Sequence, residues 1–180
     1  QRYLVVGNGS NIFFSDEGLD CPVIQLSELN NMEIDNRSVY AETGVWVPRL
    51  AMKAMRAGLT GFEHVCGIPG TVGGLICMNG GSMRQSISDY LSSVRYIDLN
   101  GDLATMAPND GGFKYRTSIF QQGDRFVVDA KFELAAAADS RVVKREMVKI
   151  LKSRRKKFPR KTFNCGSVFK SDARMFAEFG

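Results

Sequence analysis

The sequence lacks the signatures of several classes of metalloprotein, redox protein and membrane protein. It has one histidine and four cysteines, which are scattered without a C-x-x-C pair, so a zinc site or a redox dithiol has little support. We therefore expect Cys21, Cys66, Cys77 and Cys165 to be free thiols in a reducing compartment. No apolar run approaches the roughly 20 residues that a membrane span needs, and no signal-peptide pattern opens the chain. These absences predict a cytoplasmic protein.

Two common nucleotide-binding motifs are also missing. The turn at residues 7–11 supplies two glycines of the dinucleotide fingerprint, but Ile12 occupies the place of the third. The G-x-x-x-x-G-K motif of P-loop proteins does not occur in the sequence. A Rossmann or P-loop assignment therefore fails.

What is present is an ordinary globular composition with a basic excess. The 180 residues allow one large domain or two small ones, and 44% of them are hydrophobic. A net charge of +5 is compatible with nucleic acid, anionic lipid or a phosphorylated small molecule as partner. Much of the excess lies at 154–157, which without further information would be a solvated helix end stabilised by the helix dipole.

Hydrophobic periodicity and turn residues predict a mixture of strands and helices. Proline near the start and glycine at the stop predict a helix over 48–57, and Asp139 or Ser140 is expected to cap a second helix that ends before Pro159. The Asn100-Gly101 pair predicts a hairpin with a type I′ turn. Strands are expected at 4–6, 23–24, 39–41, 94–99, 103–106 and 126–134.

Two glycine-rich segments carry the strongest chemical signal. Residues 7–11, Gly-Asn-Gly-Ser-Asn, can expose backbone N–H groups to a phosphate, although a plain turn would explain them about as well. Residues 67–74 hold four glycines and a proline, which favours a close backbone approach to a ligand over a buried crossing of two chains. We expect the whole stretch 67–81 to be a buried loop.

Six motifs follow one another along the chain in a fixed order. They are Val-Val-Gly-Asn-Gly-Ser-Asn at 5–11, Gly-Leu-Thr-Gly-Phe-Glu at 58–63, Gly-Ile-Pro-Gly-Thr-Val-Gly-Gly at 67–74, Met-Asn-Gly-Gly at 78–81, Tyr-Arg-Thr-Ser at 115–118 and Gly-Ser-Val-Phe-Lys at 166–170. These motifs and their order resemble the UDP-N-acetylenolpyruvoylglucosamine reductase (MurB) family. The segment between Ser118 and Phe126 is too short for an extra loop, which favours the shorter type of that family.

The resemblance implies an α+β protein with the FAD-binding fold of the MurB/PCMH type. Two α+β subdomains would form an FAD-binding domain over 1–138, and residues 139–180 would begin an α+β substrate-binding domain. The sequence is expected to be truncated at both ends relative to the family.

The same resemblance implies where the cofactor lies. The FAD pyrophosphate is expected against the backbone of 7–11, and its remaining phosphate and ribitol edge against 67–74. The expected FAD-binding residues are Gly7, Asn8, Gly9, Ser10, Asn11, Gly67, Ile68, Pro69, Gly70, Thr71, Val72, Gly73, Gly74, Asn79 and Gly80.

The implied reaction is the NADPH-dependent reduction of UDP-N-acetylglucosamine enolpyruvate to UDP-N-acetylmuramate in peptidoglycan precursor synthesis. Arg116 would hold the carboxylate and its developing charge, and Ser167 would protonate the carbanion. Tyr115, Lys157 and Lys170 are expected to bind the substrate. We expect a monomer whose partners are these small molecules, without nucleic acid or a membrane, and a structural His64.

Some positions depart from the family pattern and keep other functions open. Met83 and Arg84 replace an aromatic residue and a glycine, and Ser171-Asp172 places an acid where a diphosphate is expected. The family's C-terminal glutamate has no counterpart in the sequence. The alternatives are a related FAD oxidoreductase with another substrate, and a flavin- or nucleotide-binding module without turnover.

Overall fold

A computed structural model describes residues 3–159 together with Gly166 and Lys170. The expected proton donor Ser167, and Cys165, lie outside the described residues. The strands are β1 Leu4–Val6, β2 Val23–Gln25, β3 Met32–Asp35, β4 Ser38–Glu42, β5 Leu59–Thr60, β6 Leu91–Asp98, β7 Leu103–Met106, β8 Arg125–Glu133 and β9 Ala135–Ala136. The α-helices are α1 Val47–Arg56, α2 Val72–Cys77 and α3 Ser140–Lys157, and short 3₁₀ helices lie at Glu63–Val65, Ile87–Tyr90, Pro108–Gly111 and Ile119–Gln122.

An antiparallel sheet of order β3-β4-β8-β6-β7 forms the centre of the fold. Its register pairs Val39 with Phe132 and Val94 with Ala130, so the fully buried side chains of neighbouring strands lie on one face. A separate parallel pair, β1-β2, precedes it, and β5 pairs with β9 in a short antiparallel ladder. The α+β fold expected from the sequence is confirmed.

Helix α1 forms where the sequence places it. Pro48 lies in its first turn, where a missing N–H costs nothing, and Gly58 follows its end with φ +76. Leu50, Ala51 and Ala54 point into the core, each 1% exposed or less. The predicted strands and the helix capped by Asp139 are also confirmed, since the Asp139 carboxylate accepts a hydrogen bond from the Arg141 amide.

One hydrophobic core joins the sheet and the helices. Val143, Met147 and Ile150 of α3 belong to the same buried cluster as the sheet residues, and α3 packs against α1 and the 3₁₀ helix Glu63–Val65. The predicted domain boundary between residues 138 and 139 stays a prediction. Helix α3, which would open the second domain, packs on residues of the first.

The prediction of a buried loop throughout 67–81 was wrong. Residues 72–77 form α2, whose N-terminus is capped by the Thr71 hydroxyl accepting from the Gly74 amide at 3.4 Å. Glycine content argued against a helix, but Gly73 is needed inside it because a Cβ there would collide with the Thr43 hydroxyl. Close packing outweighed helix propensity at this position.

The predicted type I′ turn at Asn100-Gly101 was also wrong, although the hairpin of β6 and β7 is confirmed. Gly101 has φ +89, whereas Asn100 does not have the positive φ that a type I′ turn requires. The Asp98 carboxylate instead accepts from the amides of Asn100 and Asp102 at 2.8 and 3.0 Å. This side-chain contact stabilises a longer connection.

Candidate functional site

The two glycine-rich segments meet side by side. Gly7 lies so close to Thr71 that a Cβ on the glycine would collide with the threonine hydroxyl. A Cβ on Gly70 would lie 3.3 Å from Oγ of Ser10. The structure therefore brings together the two turns that the sequence predicted to share one cofactor.

The first turn presents unused backbone donors. Gly9 has φ +68, and apart from Gly9 itself and its two chain neighbours no atom of the described residues lies within 4 Å of the place where its Cβ would be. Within residues 3–159, the backbone N–H groups of Asn8, Gly9, Ser10 and Asn11 have no hydrogen-bond partner in the protein. A run of free amides beside an open space can bind a phosphate without any cationic side chain.

The second segment is held rigidly by the stretch that leads into α1. Val47 donates to the Gly70 carbonyl at 2.9 Å, and Val72 donates to the Val45 carbonyl at 2.9 Å. Gly73 donates to the Thr43 carbonyl at 2.8 Å. These bonds fix the backbone at the point where it faces the first turn.

Three hydrogen bonds join the end of the glycine-rich stretch to the loop that carries the Tyr-Arg-Thr-Ser motif. Ser118 donates from Oγ to the Cys77 carbonyl at 2.7 Å, and Asn79 donates from Nδ2 to the Lys114 carbonyl at 3.0 Å. Arg116 donates from Nη2 to the Gly81 carbonyl at 2.9 Å. The motif is thereby positioned beside the stretch expected to bind the cofactor.

Asn79 and Gly80 have packing roles in this arrangement. Asn79 is buried with φ +40, and its Oδ1 also accepts from the Ser88 amide at 3.3 Å, so both ends of its side chain are used inside the protein. A Cβ on Gly80 would lie 2.5 Å from Cδ1 of Leu75. Their backbone N–H groups also bond within the protein, to the Ile76 and Leu75 carbonyls, so a role of either residue in binding the cofactor stays a prediction.

Arg116 lies at the tip of a tight turn. Lys114 and Thr117 exchange backbone hydrogen bonds, each 3.0 Å long, across Tyr115 and Arg116. Arg116 has φ +53, a conformation that costs a non-glycine residue about 1 kcal/mol. The Tyr115 ring lies 5.3 Å from the guanidinium carbon. Strain of this kind is found at functional sites held by their surroundings.

Arg154 is a residue at this site that the sequence reasoning missed. Its side chain covers Gly67, where a Cβ would lie 2.5 Å from its Cδ. Burial lowers the pKa of Arg154, and the nearby positive charge of Arg116 lowers the pKa further. Among the described residues no carboxylate pairs with either arginine.

A sequence signal for Arg154 did exist. It follows Val143, Met147 and Ile150 at helical spacing and so lies on the apolar stripe of α3, while the rest of the 154–157 run is exposed. A charged residue on a buried stripe indicates a role beyond solvation.

The lysines expected to bind substrate are less well defined. Lys157 ends α3, and its Nζ lies 5.5 Å from the centre of the Phe158 ring. Lys170 is exposed, and Gly166, just before Ser167, has φ +69. The structure thus brings the two turns together and joins the Arg116 loop to residues 77–81, and the roles of these residues and of Ser167 stay predictions.

His64 and the buried thiols have structural surroundings. His64 is 1% exposed, donates from Nδ1 to the Gly61 carbonyl at 2.9 Å and stacks on Tyr90. Burial raises the pKa of the Cys66 thiol to about 11 and also raises the pKa of Cys77. Residues 3–159 contain no cluster of side chains that could hold a metal ion, and no helix among them is long and apolar enough to cross a membrane.

Comparison with known proteins assigns the sequence that forms this site to a family. The family described as FAD binding domain matches residues 1–107, which include both turns and the whole of α2. The chain belongs to the FAD-binding domain family. FAD is therefore confirmed as the expected cofactor.

Relatives within the family confirm the resemblance to MurB. The UDP-N-acetylenolpyruvoylglucosamine reductase of Streptococcus pneumoniae strain CGSP14 is 38% identical over 175 residues, which cover 97% of this chain and 58% of the relative. The crystal structure of MurB from Thermus caldophilus aligns with a TM-score of 0.81 and 31% identity, covering 98% of this chain and 65% of that one. The chain thus spans about three fifths of the length of the curated relatives it matches.

More distant solved structures share only the fold. A solvent-stable cholesterol oxidase aligns with a TM-score of 0.56 at 22% identity, covering 74% of this chain and 30% of that one. Identity this low says nothing about substrate.

Proposed function

We propose that the protein is an FAD-dependent reductase that uses NADPH to convert UDP-N-acetylglucosamine enolpyruvate to UDP-N-acetylmuramate in the cytoplasm. The observation that carries the proposal is the contact between the two glycine turns, together with the Arg116 loop that is hydrogen-bonded to residues 77–81. It combines a site for a pyrophosphate with an arginine that has no carboxylate partner among the described residues. The reaction needs both features at one site.

The residues present fit FAD. The free amides of 8–11 suit a pyrophosphate, and the clamped backbone of 67–74 suits the remaining phosphate and the ribitol. When bound, FAD would accept hydride from NADPH and donate it to the enolpyruvyl group. Arg154, whose guanidinium is half-buried beside Gly67, adds positive charge on the same side.

Arg116 is proposed to bind the substrate carboxylate. When hydride reaches the vinyl carbon, negative charge develops on the carbon next to the carboxylate and spreads onto the carboxylate oxygens. A guanidinium can hold both of these oxygens at once. The bond from Arg116 to the Gly81 carbonyl, at 2.9 Å, and the tight turn around it fix the guanidinium before substrate arrives. Tyr115 is 55% exposed beside it and is proposed to line the substrate path.

Ser167 is proposed to protonate the carbanion next to the carboxylate, at a position outside the described residues. Lys157 and Lys170 are proposed to contact the substrate diphosphate, where a lysine acts as a point charge. The chemistry requires neither a second subunit nor nucleic acid, and we propose a monomer.

Two measurements on the full-length protein test the proposal. We expect purified protein to carry a visible flavin band, and NADPH oxidation to accelerate only when the enolpyruvyl substrate is added. Loss of flavin on gel filtration would contradict the cofactor site. Acceleration by other acceptors but not by this substrate would contradict the substrate.

One observation favours a related oxidoreductase with another substrate. Met83 and Arg84 follow the Asn-Gly-Gly segment with φ +57 and +62, and Met83 is 65% exposed. Two consecutive left-handed residues other than glycine are unusual and re-shape the backbone next to Gly81. A substrate screen with sugar nucleotides other than the enolpyruvyl compound distinguishes this alternative.

A further inference from the structure

The charge of the chain is concentrated in one helix. Helix α3 contains nine lysines and arginines and one glutamate, a net charge of +8. The whole chain carries +5, so the remaining residues together are net negative. Charge asymmetry of this size within one protein indicates a polyanionic partner.

The cations of α3 lie mainly on its outer face. The inner face buries Val143, Met147 and Ile150 in the core. The outer cations are all exposed over the roughly 27 Å length of the helix, at 1.5 Å per residue, and the exposed uncharged residues among them are Val142, Val148 and Ser153. We call the following residues the basic face: Lys144, Arg145, Lys149, Lys152, Arg155 and Lys156.

Stabilisation of the helix end does not explain the basic face. The helix dipole favours cations only in the last turn, and Lys144, Arg145 and Lys149 lie well before it. Like charges spaced three or four residues apart destabilise a helix by a few tenths of a kcal/mol per pair. The single glutamate, Glu146, pairs with Lys149 at 3.6 Å and leaves the other cations of the face without an acidic partner on the helix.

Helix α1 extends the basic face across a groove. Its exposed side carries Arg49, Lys53 and Arg56 and no carboxylate, and Arg155 of α3 lines the same groove. The apolar side chains exposed around it are Trp46, which is 50% exposed, and Met52. Cations interleaved with a tryptophan and a methionine suit the interface of a bilayer.

We propose that the basic face of α3, extended by α1, binds the surface of an anionic lipid membrane. The exposed apolar side chains Trp46, Met52 and Val148 among the cations favour a lipid interface over nucleic acid. The apolar stripe of α3 is buried in the core, so contact is electrostatic and peripheral. This departs from the expectation, made from the sequence, of no membrane partner.

Sedimentation of the purified protein with lipid vesicles tests the proposal. We expect binding to vesicles of phosphatidylcholine mixed with phosphatidylglycerol, no binding to phosphatidylcholine alone, and release by added salt. Replacing Lys144 and Lys152 by Gln should lower the partition coefficient about thirty-fold, because each cation near an anionic surface contributes about 1 kcal/mol. Neither lysine makes an ion pair within residues 3–159, so the helix should remain folded by circular dichroism.

A pair of matched single substitutions distinguishes binding through the basic face from binding through the total charge of the protein. Lys152→Gln should lower the partition coefficient about five-fold, whereas Lys131→Gln, on the exposed side of β8, should leave it unchanged. Equal losses in both variants would overturn the proposal, as would failure to bind anionic vesicles. Retention of a single-stranded RNA oligonucleotide without any vesicle binding would also overturn it, and would assign the face to nucleic acid instead.

Discussion

Arg116 donates from its guanidinium to the carbonyl oxygen of Gly81 at 2.9 Å while its own backbone has a φ of +53. The strained backbone and the hydrogen bond together aim the side chain along the glycine-rich segment. A residue held this way loses little freedom when a carboxylate binds to it.

Removal of the Ser118 hydroxyl should loosen this arrangement. Ser118 is buried, donates to the Cys77 carbonyl at 2.7 Å and accepts from the Phe120 amide at 3.3 Å. Ser118→Ala leaves both partners unsatisfied, so we expect a loss of about 1–3 kcal/mol in the free energy of unfolding, measured with urea. We also expect KM for the enolpyruvyl substrate to rise while flavin reduction by NADPH is nearly unchanged.

The neighbouring hydroxyl provides the control for that experiment. Thr117 donates to the Tyr115 carbonyl within the same turn at 3.2 Å, in an exposed position. Thr117→Ala should cost less than about 1 kcal/mol because water can replace the bond. Equal losses from both substitutions would show that Ser118 does not anchor the loop.

Gly73 and Gly74 form a matched pair in α2. A Cβ on Gly73 would collide with the Thr43 hydroxyl, whereas a Cβ on Gly74 would lie 3.6 Å from Oγ1 of Thr71, an ordinary contact. We expect Gly73→Ala to destabilise the protein by about 1–3 kcal/mol through overpacking and to weaken FAD retention. Gly74→Ala should be neutral or stabilise by up to about 1 kcal/mol. Thermal unfolding that ranks the two in the opposite order would refute the packing described for α2.

The stability of the protein should depend on pH through His64. Burial lowers the pKa of this histidine below its ordinary value of 6.5, and the hydrogen bond to the Gly61 carbonyl opposes that shift. Protonation would add an N–H at Nε2, which is buried without a partner among the described residues. The unfolded chain binds the proton more readily, so the folded state should lose stability as pH falls below about 6.5.

Urea unfolding between pH 5 and pH 7.5 measures this effect. The free energy of unfolding should fall with a slope of up to about 1.4 kcal/mol per pH unit from this group. His64→Gln should remove that part of the slope while flavin reduction by NADPH stays largely intact. An unchanged slope in the variant would assign the pH dependence to other groups.

The cysteines should differ in reactivity. Burial raises the pKa of Cys66 to about 11 and also raises that of Cys77, and the reactive species is the thiolate. Cys66 is buried, whereas Cys21 and Cys77 are both partly exposed. We expect iodoacetamide to label Cys21 in the folded protein, Cys77 more slowly because its pKa is raised, and Cys66 only after unfolding, as measured by peptide mass spectrometry. Rapid labelling of Cys66 in the folded state would contradict the core packing around it.

Much of the fold could be predicted because local signals agreed with the tertiary structure. Pro48 marks the start of α1 and Gly58 follows its end, and Asp139 caps α3, as the sequence indicated. The helical course of 72–77 could not be predicted, because it depends on the contact between Gly73 and Thr43, which are far apart in sequence. The turn after β6 was mispredicted because the Asp98 carboxylate competes for the backbone amides.

The sequence indicated which segments form the candidate site, but not how those segments contact one another. The glycines at 7–11 and 67–74 identify the segments, yet only the structure shows that Gly7 packs on Thr71. Arg154 was overlooked because it lies within a run of exposed cations and only the helical phase distinguishes it. That Asn79 uses its side chain to hold the Lys114 carbonyl is a long-range contact that no local pattern encodes.

A single-turnover experiment tests the central claim most directly. Full-length protein is reduced anaerobically with one equivalent of NADPH and mixed in a stopped-flow instrument with UDP-N-acetylglucosamine enolpyruvate, while flavin absorbance is recorded. The account predicts rapid return of the oxidised flavin band. In Ser167→Ala, flavin reduction should be near normal and the return about a hundred- to ten-thousand-fold slower. A flavin that NADPH reduces but that this substrate never reoxidises, in the unaltered protein, would contradict the account.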